Sequence, residues 1–99
     1  MDRELEKKWF TFPVKTQMAN VGSEVLRAIK WKNKGDKQKE YSFYEKAQDF
    51  LMLTIRDPKN FACLNELKLC SAELNDYFIG NNIYGTSETV LKKYYDSFL

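Results

Sequence analysis

The chain has 99 residues, enough for one domain with a modest hydrophobic core but not for a second domain. Hydrophobic residues make up 43% and aromatic residues 15%, which excludes a disordered chain. The formal net charge is only +2, so any attraction to nucleic acid or membrane must come from local clusters of charge.

The N-terminal segment is charged at first and then aromatic. Residues 1–8 are polar, and Trp9 and Phe12 follow them without a long apolar segment, so the pattern is not that of a secretory signal. No run approaches the roughly 20 apolar residues needed to span a bilayer, and we expect a cytoplasmic protein with no membrane contact. We interpret residues 1–12 as an extended aromatic arm beside a single helical domain at 13–99. The arm either folds back onto that domain or docks on a second subunit.

The first predicted helix covers residues 13–34, because apolar residues recur there at steps of three and four. Pro13 suits the first turn, where its missing N–H costs nothing. Gly22 lies inside this helix at a cost of about 1 kcal/mol relative to alanine, which can allow a neighbouring helix to approach closely. The apolar stripe consists of Val14, Met18, Val21, Val25 and Ala28.

The end of this helix permits two interpretations, which differ in the role of Gly35. In the first, Gly35 lies just past the helix end as a left-handed cap, and the lysine-rich segment is a basic turn. In the second, the helix continues through residues 37–40, which are good helix formers, and the segment is one long basic helix that runs to Glu40.

The remaining helices have clearer start signals. Ser42 begins a capping-box pattern, which predicts a second helix at 43–56. Asp57 then acts as the N-cap of a third helix at 58–79. A turn-rich loop leads to a last helix at 87–98, for which Thr86 or Ser87 is the cap. These elements predict an all-α protein, an antiparallel up-and-down four-helix bundle.

Four residues near the lysine-rich segment have a familiar spacing: Trp31, Gly35, Ala47 and Leu51. With the Asp-Pro-Lys-Asn sequence that closes it, the segment 27–60 resembles a single tetratricopeptide repeat. The resemblance implies a tight antiparallel hairpin in the centre of the bundle, with Gly35 inside a helix. No second repeat follows, and since such repeats normally need about three copies, a solenoid is not expected.

Longer phrases of the sequence carry a second resemblance. They are QMANVGSEV, RAIKWKNKG, DPKN and DYFIGNNIYGT. In these phrases the chain resembles a set of small bacterial proteins to which no activity is attached. That resemblance therefore implies no functional residue.

Candidate catalytic and metal-binding residues are few. The chain contains no histidine, which excludes Ser-His and Cys-His nucleophiles and histidine-ligated zinc. Cys63 and Cys70 fall two helical turns, roughly 10.5 Å, apart, too far to form a disulfide with each other. The carboxylates of Glu66, Glu73 and Asp76 are expected to lie in solvent. We therefore predict no catalytic residue, no metal, no cofactor and no small-molecule substrate.

A lysine-rich cluster with a tryptophan in its middle is the first positive signal. Lysines neutralise phosphates and an aromatic ring stacks on a base, so the cluster is a candidate contact for RNA, single-stranded DNA or a protein. The alternative is a solvated helix end whose charge is offset by nearby acidic residues. The candidate residues are Arg27, Lys30, Trp31, Lys32, Lys34, Lys37 and Lys39.

A surplus of aromatic residues is the second signal. Tyrosine is enriched at interfaces, where one end of the ring is apolar and the other is wet. Alternatively, the tyrosines line the edge of the core with their hydroxyls outward. The candidate interface residues are Trp9, Phe12, Tyr84, Tyr94 and Tyr95.

These signals support two functional hypotheses. The first is a non-enzymatic helical interaction module, an oligomeric accessory or adaptor subunit whose partner is a protein or a second copy of the chain. The second is a nucleic-acid-binding accessory protein that uses residues 27–39. An enzyme would need a polar-lined pocket with carboxylates or lysines of shifted pKa.

Overall fold

The computed structural model of the chain describes residues 3–99, and helices joined by turns and loops make up this part. The predicted all-α class is confirmed, although the described residues form five α-helices instead of four. Residues 1 and 2 of the predicted arm lie outside the described range. The elements in chain order are α1 (Arg3–Phe10), α2 (Val14–Asn33), α3 (Lys37–Arg56), a 3₁₀ helix (Pro58–Cys63), α4 (Leu64–Phe78) and α5 (Glu88–Asp96).

The N-terminal segment is a helix, and the prediction of an extended arm was wrong. Trp9 is buried, its ring stacks on Phe50 with centroids 4.7 Å apart, and its Nε1–H donates a hydrogen bond of 3.0 Å to Thr54 Oγ1. The segment thus folds back onto α3 of its own chain. Its sequence signal is weak because Leu5 and Trp9 alone mark an apolar helical face in a short, charged stretch.

The turn after α2 identifies the role of Gly35, which lies past the helix end and not inside it. Gly35 has a φ of +76°, its N–H donates to the carbonyl of Lys32, and the N–H of Asp36 donates to the carbonyl of Trp31. This is the Schellman pattern of a left-handed helix cap. The segment is therefore a basic turn between two helices, and the arrangement implied by the tetratricopeptide resemblance, with Gly35 inside a helix, is incorrect.

The third helix begins at Lys37, six residues before the predicted start. Asp36 is its N-cap, and its side chain accepts a hydrogen bond of 3.1 Å from the backbone N–H of Lys39. Ser42, the predicted cap, is an exposed residue inside the helix. Asp36 directly follows the glycine cap and can cap a helix that starts at once after the turn. The helix therefore begins before Ser42 and includes it.

Two later caps were predicted correctly. Asp57 caps the 3₁₀ helix by accepting from the backbone N–H of Lys59, and Ser87 caps α5 by accepting from Val90. The predicted exposure of Asp76 was wrong: its carboxylate is 8% exposed and accepts from the N–H of Ile83 at 2.8 Å. It thereby holds the loop that joins α4 to α5.

The core lies between α2 and α3 and is closed by α4 and α5. Gln48 Nε2 of α3 donates to the carbonyl of Ser71 in α4 at 2.9 Å, and Asn33 Nδ2 of α2 donates to Glu88 Oε1 at the start of α5. These contacts are compatible with a helical bundle. Among the large, fully buried side chains are Met18, Val21, Val25, Ile29, Leu51, Leu74 and Tyr95.

A buried polar network ties α1, α2 and the 3₁₀ helix together at the end of the bundle opposite the basic turn. Gln17 Nε2 donates to the carbonyl of Trp9 at 2.9 Å and to Asp57 Oδ2 at 2.8 Å. Asn60 Nδ2 in turn donates to Gln17 Oε1 at 2.8 Å. Because buried polar groups are costly when left unpaired, this network fixes how α1 docks.

Within residues 3–99, none of the helices is both long and apolar enough to cross a lipid bilayer.

Candidate functional site

A cleft of about 370 Å³ opens beside the basic turn, where the start of α3 meets the end of α4. Tyr44 and Phe78 form an aromatic floor, with ring centroids 5.5 Å apart, and Tyr44 is buried. Tyr41 stands at the mouth and is 52% exposed. The lining residues are Lys32, Lys37, Glu40, Tyr41, Tyr44, Phe78 and Ile79.

The first two turns of α3 supply most of this lining. Lys37, Glu40, Tyr41 and Tyr44 are spaced by three or four residues, which brings them to one face of a helix. This face exists only because α3 begins at Lys37. The sequence prediction began the helix at 43 and therefore missed the cleft, although the Asp36 cap was the signal that could have found it.

Three lysines of the predicted basic cluster surround one indole ring. The Nζ atoms of Lys39, Lys34 and Lys30 lie 4.1, 5.0 and 5.5 Å from the centroid of Trp31, which is itself partly buried. Contacts at these distances are cation–π interactions. The Trp31 cluster, as we call these four residues, concentrates positive charge on one side of the turn.

The other lysines of the predicted cluster lie at the cleft. Lys32 and Lys37 line it, and Lys32 Nζ lies 5.0 Å from the ring centroid of Tyr77. Burial raises the pKa of Tyr77, and the charges of Glu88 and Glu40 raise it further. The Tyr77 phenol therefore stays neutral at physiological pH, and the Lys32 ammonium can form a cation–π interaction with its ring.

Arg27 is engaged in a structural ion pair. Its Nη1 lies 2.6 Å from Oε1 of Glu24, a buried carboxylate, and Lys46 Nζ lies 3.9 Å from the same oxygen. Removing Arg27 would leave a buried charge with weaker compensation. Arg27 therefore compensates a buried charge within α2, and it is absent from the cleft lining and from the Trp31 cluster.

The predicted aromatic interface residues do not form one surface. Trp9 and Tyr95 are buried within the chain and cannot contact a partner in this conformation. Phe12 is partly buried, with its ring 5.9 Å from that of Trp9. Tyr94 is also partly buried, whereas Tyr84 is exposed. Their burial depends on contacts with distant parts of the chain, which residue type alone does not reveal.

Most of the exposed apolar residues at and after the end of α4 were not among the interface residues predicted from the sequence. Ile79 lines the cleft and is exposed, and Ile83 in the following loop is 85% exposed. The backbone N–H groups of Ile83 and Tyr84 are held by the Asp76 carboxylate at 2.8 and 3.0 Å. These side chains are thus presented to solvent by a hydrogen-bonded loop.

The two thiols are free and lie apart from the cleft lining. Burial raises the pKa of the Cys70 thiol, which lies 3.3 Å from the hydroxyl of Tyr94. Tyr94 also donates to Glu66 Oε1 at 3.1 Å, and its pKa is raised by burial and by these neighbours. Between residues 3 and 99, no three cysteine or carboxylate side chains are grouped so that they could hold a metal ion.

Comparisons with models of protein families, with curated proteins and with solved structures found no match. The chemistry of the cleft is therefore inferred from its own side chains.

Proposed function

We propose that the protein is a non-enzymatic interaction module, an accessory or adaptor subunit that binds a macromolecular partner at the cleft end of the bundle. The observation that carries this proposal is the exposure of apolar side chains in the cleft lining and in the loop that follows α4. Tyr41, Ile79 and Tyr84 are each about half exposed, and Ile83 is almost fully exposed. Apolar side chains gathered in one exposed region are typical of interaction sites.

The proposal also covers the topology of the helical bundle and the cellular compartment of the protein. The scaffold is an antiparallel up-and-down bundle of α2, α3, α4 and α5, supported by the pairs of contacts between α3 and α4 and between α2 and α5. We also propose a cytoplasmic compartment, with which the two cysteines are consistent.

Self-association is the first property to measure as a test of this function. We expect the mass from light scattering to rise above 11.7 kDa as the protein concentration increases from about 10 μM to about 1 mM. The double variant Ile83→Ser with Tyr84→Ser removes two exposed apolar side chains and should stay monomeric. The matched control is Phe61→Ser with Leu99→Ser, because both residues are strongly exposed but lie outside the cleft end.

A constant mass in this series would contradict self-association and leave a heterologous partner. Affinity capture from the native cell then separates the remaining outcomes. A protein retained by the wild type and by the control, but lost with the Ile83 and Tyr84 variant, supports the adaptor function. A monomer that retains the same proteins in all three forms contradicts the proposed surface.

Nucleic-acid binding is a second candidate function, and the Trp31 cluster favours it. Three ammonium groups gather within 5.5 Å of one indole centroid, which concentrates charges for phosphates in one place. The remaining cleft lysines extend the same positive surface. Charge of this kind attracts a polyanion even though the net charge of the chain is small.

Charge reversal tests this second function. The triple variant of Lys30, Lys34 and Lys39 to glutamate should weaken the binding of a labelled single strand at least tenfold, about 1.4 kcal/mol, and reduce its salt dependence. The control reverses the exposed Lys8, Lys15 and Lys68 and has the same net charge. Equal weakening in both variants, measured by fluorescence anisotropy, would contradict a specific role for the Trp31 cluster.

A further inference from the structure

The cleft has the size of a small-ligand site. Its volume of about 370 Å³ is at the lower end of the range for pockets that enclose a small molecule. It can therefore take a flat ring or a short side chain, but not a helix. Whatever macromolecule binds at this end of the bundle inserts a single group here.

Tyr41 offers the cleft an open aromatic face. It is half exposed and lies at the mouth, with its ring centroid 5.9 Å from that of Tyr44 in the floor. Trp31, in contrast, is partly buried and has three ammonium groups around its ring. Base stacking requires an accessible ring, and Tyr41 is more exposed than Trp31.

Cations reach the cleft from two helices. Lys32 extends from the last turn of α2 and Lys37 from the first turn of α3. Both side chains line the cleft, one from each of these two helices. The Trp31 cluster continues the positive surface around the turn, so a chain of phosphates could pass from the cleft to it.

Glu40 decides which anionic partner fits. It is a carboxylate in the lining of a basic cleft, and it disfavours a ligand that presents only carboxylates there, such as the side chains of an acidic peptide. The other nearby acids have partners: Asp36 caps α3, and Glu88 accepts from Asn33 and pairs with Lys92. A nucleotide suits both the cleft lysines and the Glu40 carboxylate, because it carries a phosphate beside N–H and O–H donors.

We infer that the cleft binds one nucleotide of a single-stranded RNA. The base packs against Tyr41, the flanking phosphates contact Lys32 and Lys37, and Glu40 accepts a hydrogen bond from the ribose 2′-hydroxyl. That hydroxyl is the donor which distinguishes RNA from DNA. The inference rests on the second proposed function, nucleic-acid binding, and gives it a site and a substrate class.

The experiment measures fluorescence anisotropy with three labelled probes: oligo(A) RNA of about 12 nucleotides, oligo(dA) of the same length and poly-L-glutamate. The wild type should bind the RNA more tightly than the DNA. Tyr41→Ala should weaken RNA binding about tenfold, since one stacking contact is lost. Met52→Ala, an exposed position on the same helix, is its control and should bind as the wild type does.

Glu40→Gln gives the sharpest readout. It removes a negative charge, so binding of both strands should become tighter. The preference for RNA over DNA should fall, because an amide oxygen accepts the 2′-hydroxyl more weakly than a carboxylate does. A structural role of Glu40 would lower both affinities together. Glu45→Gln, at an exposed position on the same helix, removes the same charge and should keep the preference.

Each alternative outcome has a distinct meaning. Equal binding of RNA and DNA, or no effect of Tyr41→Ala, overturns the inference. If the Trp31 cluster variant still weakens binding in that case, nucleic-acid binding remains and only its site is wrong. Binding of poly-L-glutamate instead of RNA overturns the inference in favour of an acidic protein segment. Binding of no nucleic acid contradicts both the inference and the function on which it rests.

Discussion

Replacing Gly22 by valine is expected to destabilise the protein by about 3 kcal/mol and to release α5 from α2. A Cβ atom at position 22 would lie 2.9 Å from the Cβ of Tyr95, closer than carbon atoms normally approach. Tyr95 and Leu91 are both buried, so α5 cannot shift outward without exposing them. Because glycine costs a helix about 1 kcal/mol relative to alanine, a loss on replacing it would have a tertiary origin.

The matched control for this variant is Asn20→Val, on the exposed side of the same helix. Valine is a better helix former than glycine and about equal to asparagine, so propensity alone would make Gly22→Val the milder change. A larger loss for Gly22→Val therefore comes from the contact with α5. Urea unfolding monitored by circular dichroism measures the stability, and hydrogen exchange of the α5 amides locates the loss. Equal unfolding midpoints for the two variants would mean that α5 does not pack tightly on Gly22.

Replacing Asp57 by alanine is the second large effect, with an expected loss of about 3 kcal/mol. The carboxylate is 4% exposed and accepts hydrogen bonds from Gln17 Nε2, from the backbone N–H of Lys59 and from the Lys59 ammonium. The variant removes the cap of the 3₁₀ helix and also leaves the buried Gln17 amide short of a partner. Thermal or urea unfolding gives the change in the free energy of unfolding.

Asp36→Ala is the control for this variant, because Asp36 caps α3 with a single hydrogen bond near the surface. Loss of a cap alone should cost about 1 kcal/mol. The excess at Asp57 therefore measures the buried network. If both variants lost the same stability, the network would contribute nothing beyond capping.

The same carboxylate makes stability depend on pH in a defined direction. Burial raises the pKa of Asp57, but the hydrogen bonds from Lys59 and Gln17 and the Lys59 charge outweigh it and hold the pKa below its ordinary value. A lowered pKa in the folded state adds stability above the unfolded pKa and loses it as the pH falls through the folded value. The stability difference between the wild type and Asp57→Asn should therefore be constant above about pH 5 and shrink below about pH 4. A difference that does not vary over this range would contradict the assignment.

Of the four phrases QMANVGSEV, RAIKWKNKG, DPKN and DYFIGNNIYGT, three contain residues that hold the fold together. Gln17 and Gly22 belong to the first phrase, Asp57 and Asn60 to the third, and Asp76 to the last. Each makes a buried contact between elements or holds a loop. Substitutions at these buried or loop-holding positions should therefore report on folding, whereas changes to the exposed lysines of the turn should alter binding.

Part of the candidate site was accessible to sequence reasoning. The clustering of Lys32 and Lys37 was predicted from composition, and both line the cleft. The floor and mouth were not predicted, because Phe78 and Ile79 reach the cleft from α4, more than 30 residues further along the chain. Which tyrosine is exposed likewise depends on neighbours that are distant in sequence.

Local signals were sufficient to predict the all-α class, the caps at Asp57 and Ser87 and the apolar stripe of α2. Such signals act between residues within about one helical turn of each other, so the sequence displays them directly. The docking of α1 through Trp9, the burial of Asp76 and the cleft were decided by tertiary structure. Each depends on contacts between segments that only packing brings together, and the free energy of those contacts outweighs local preference.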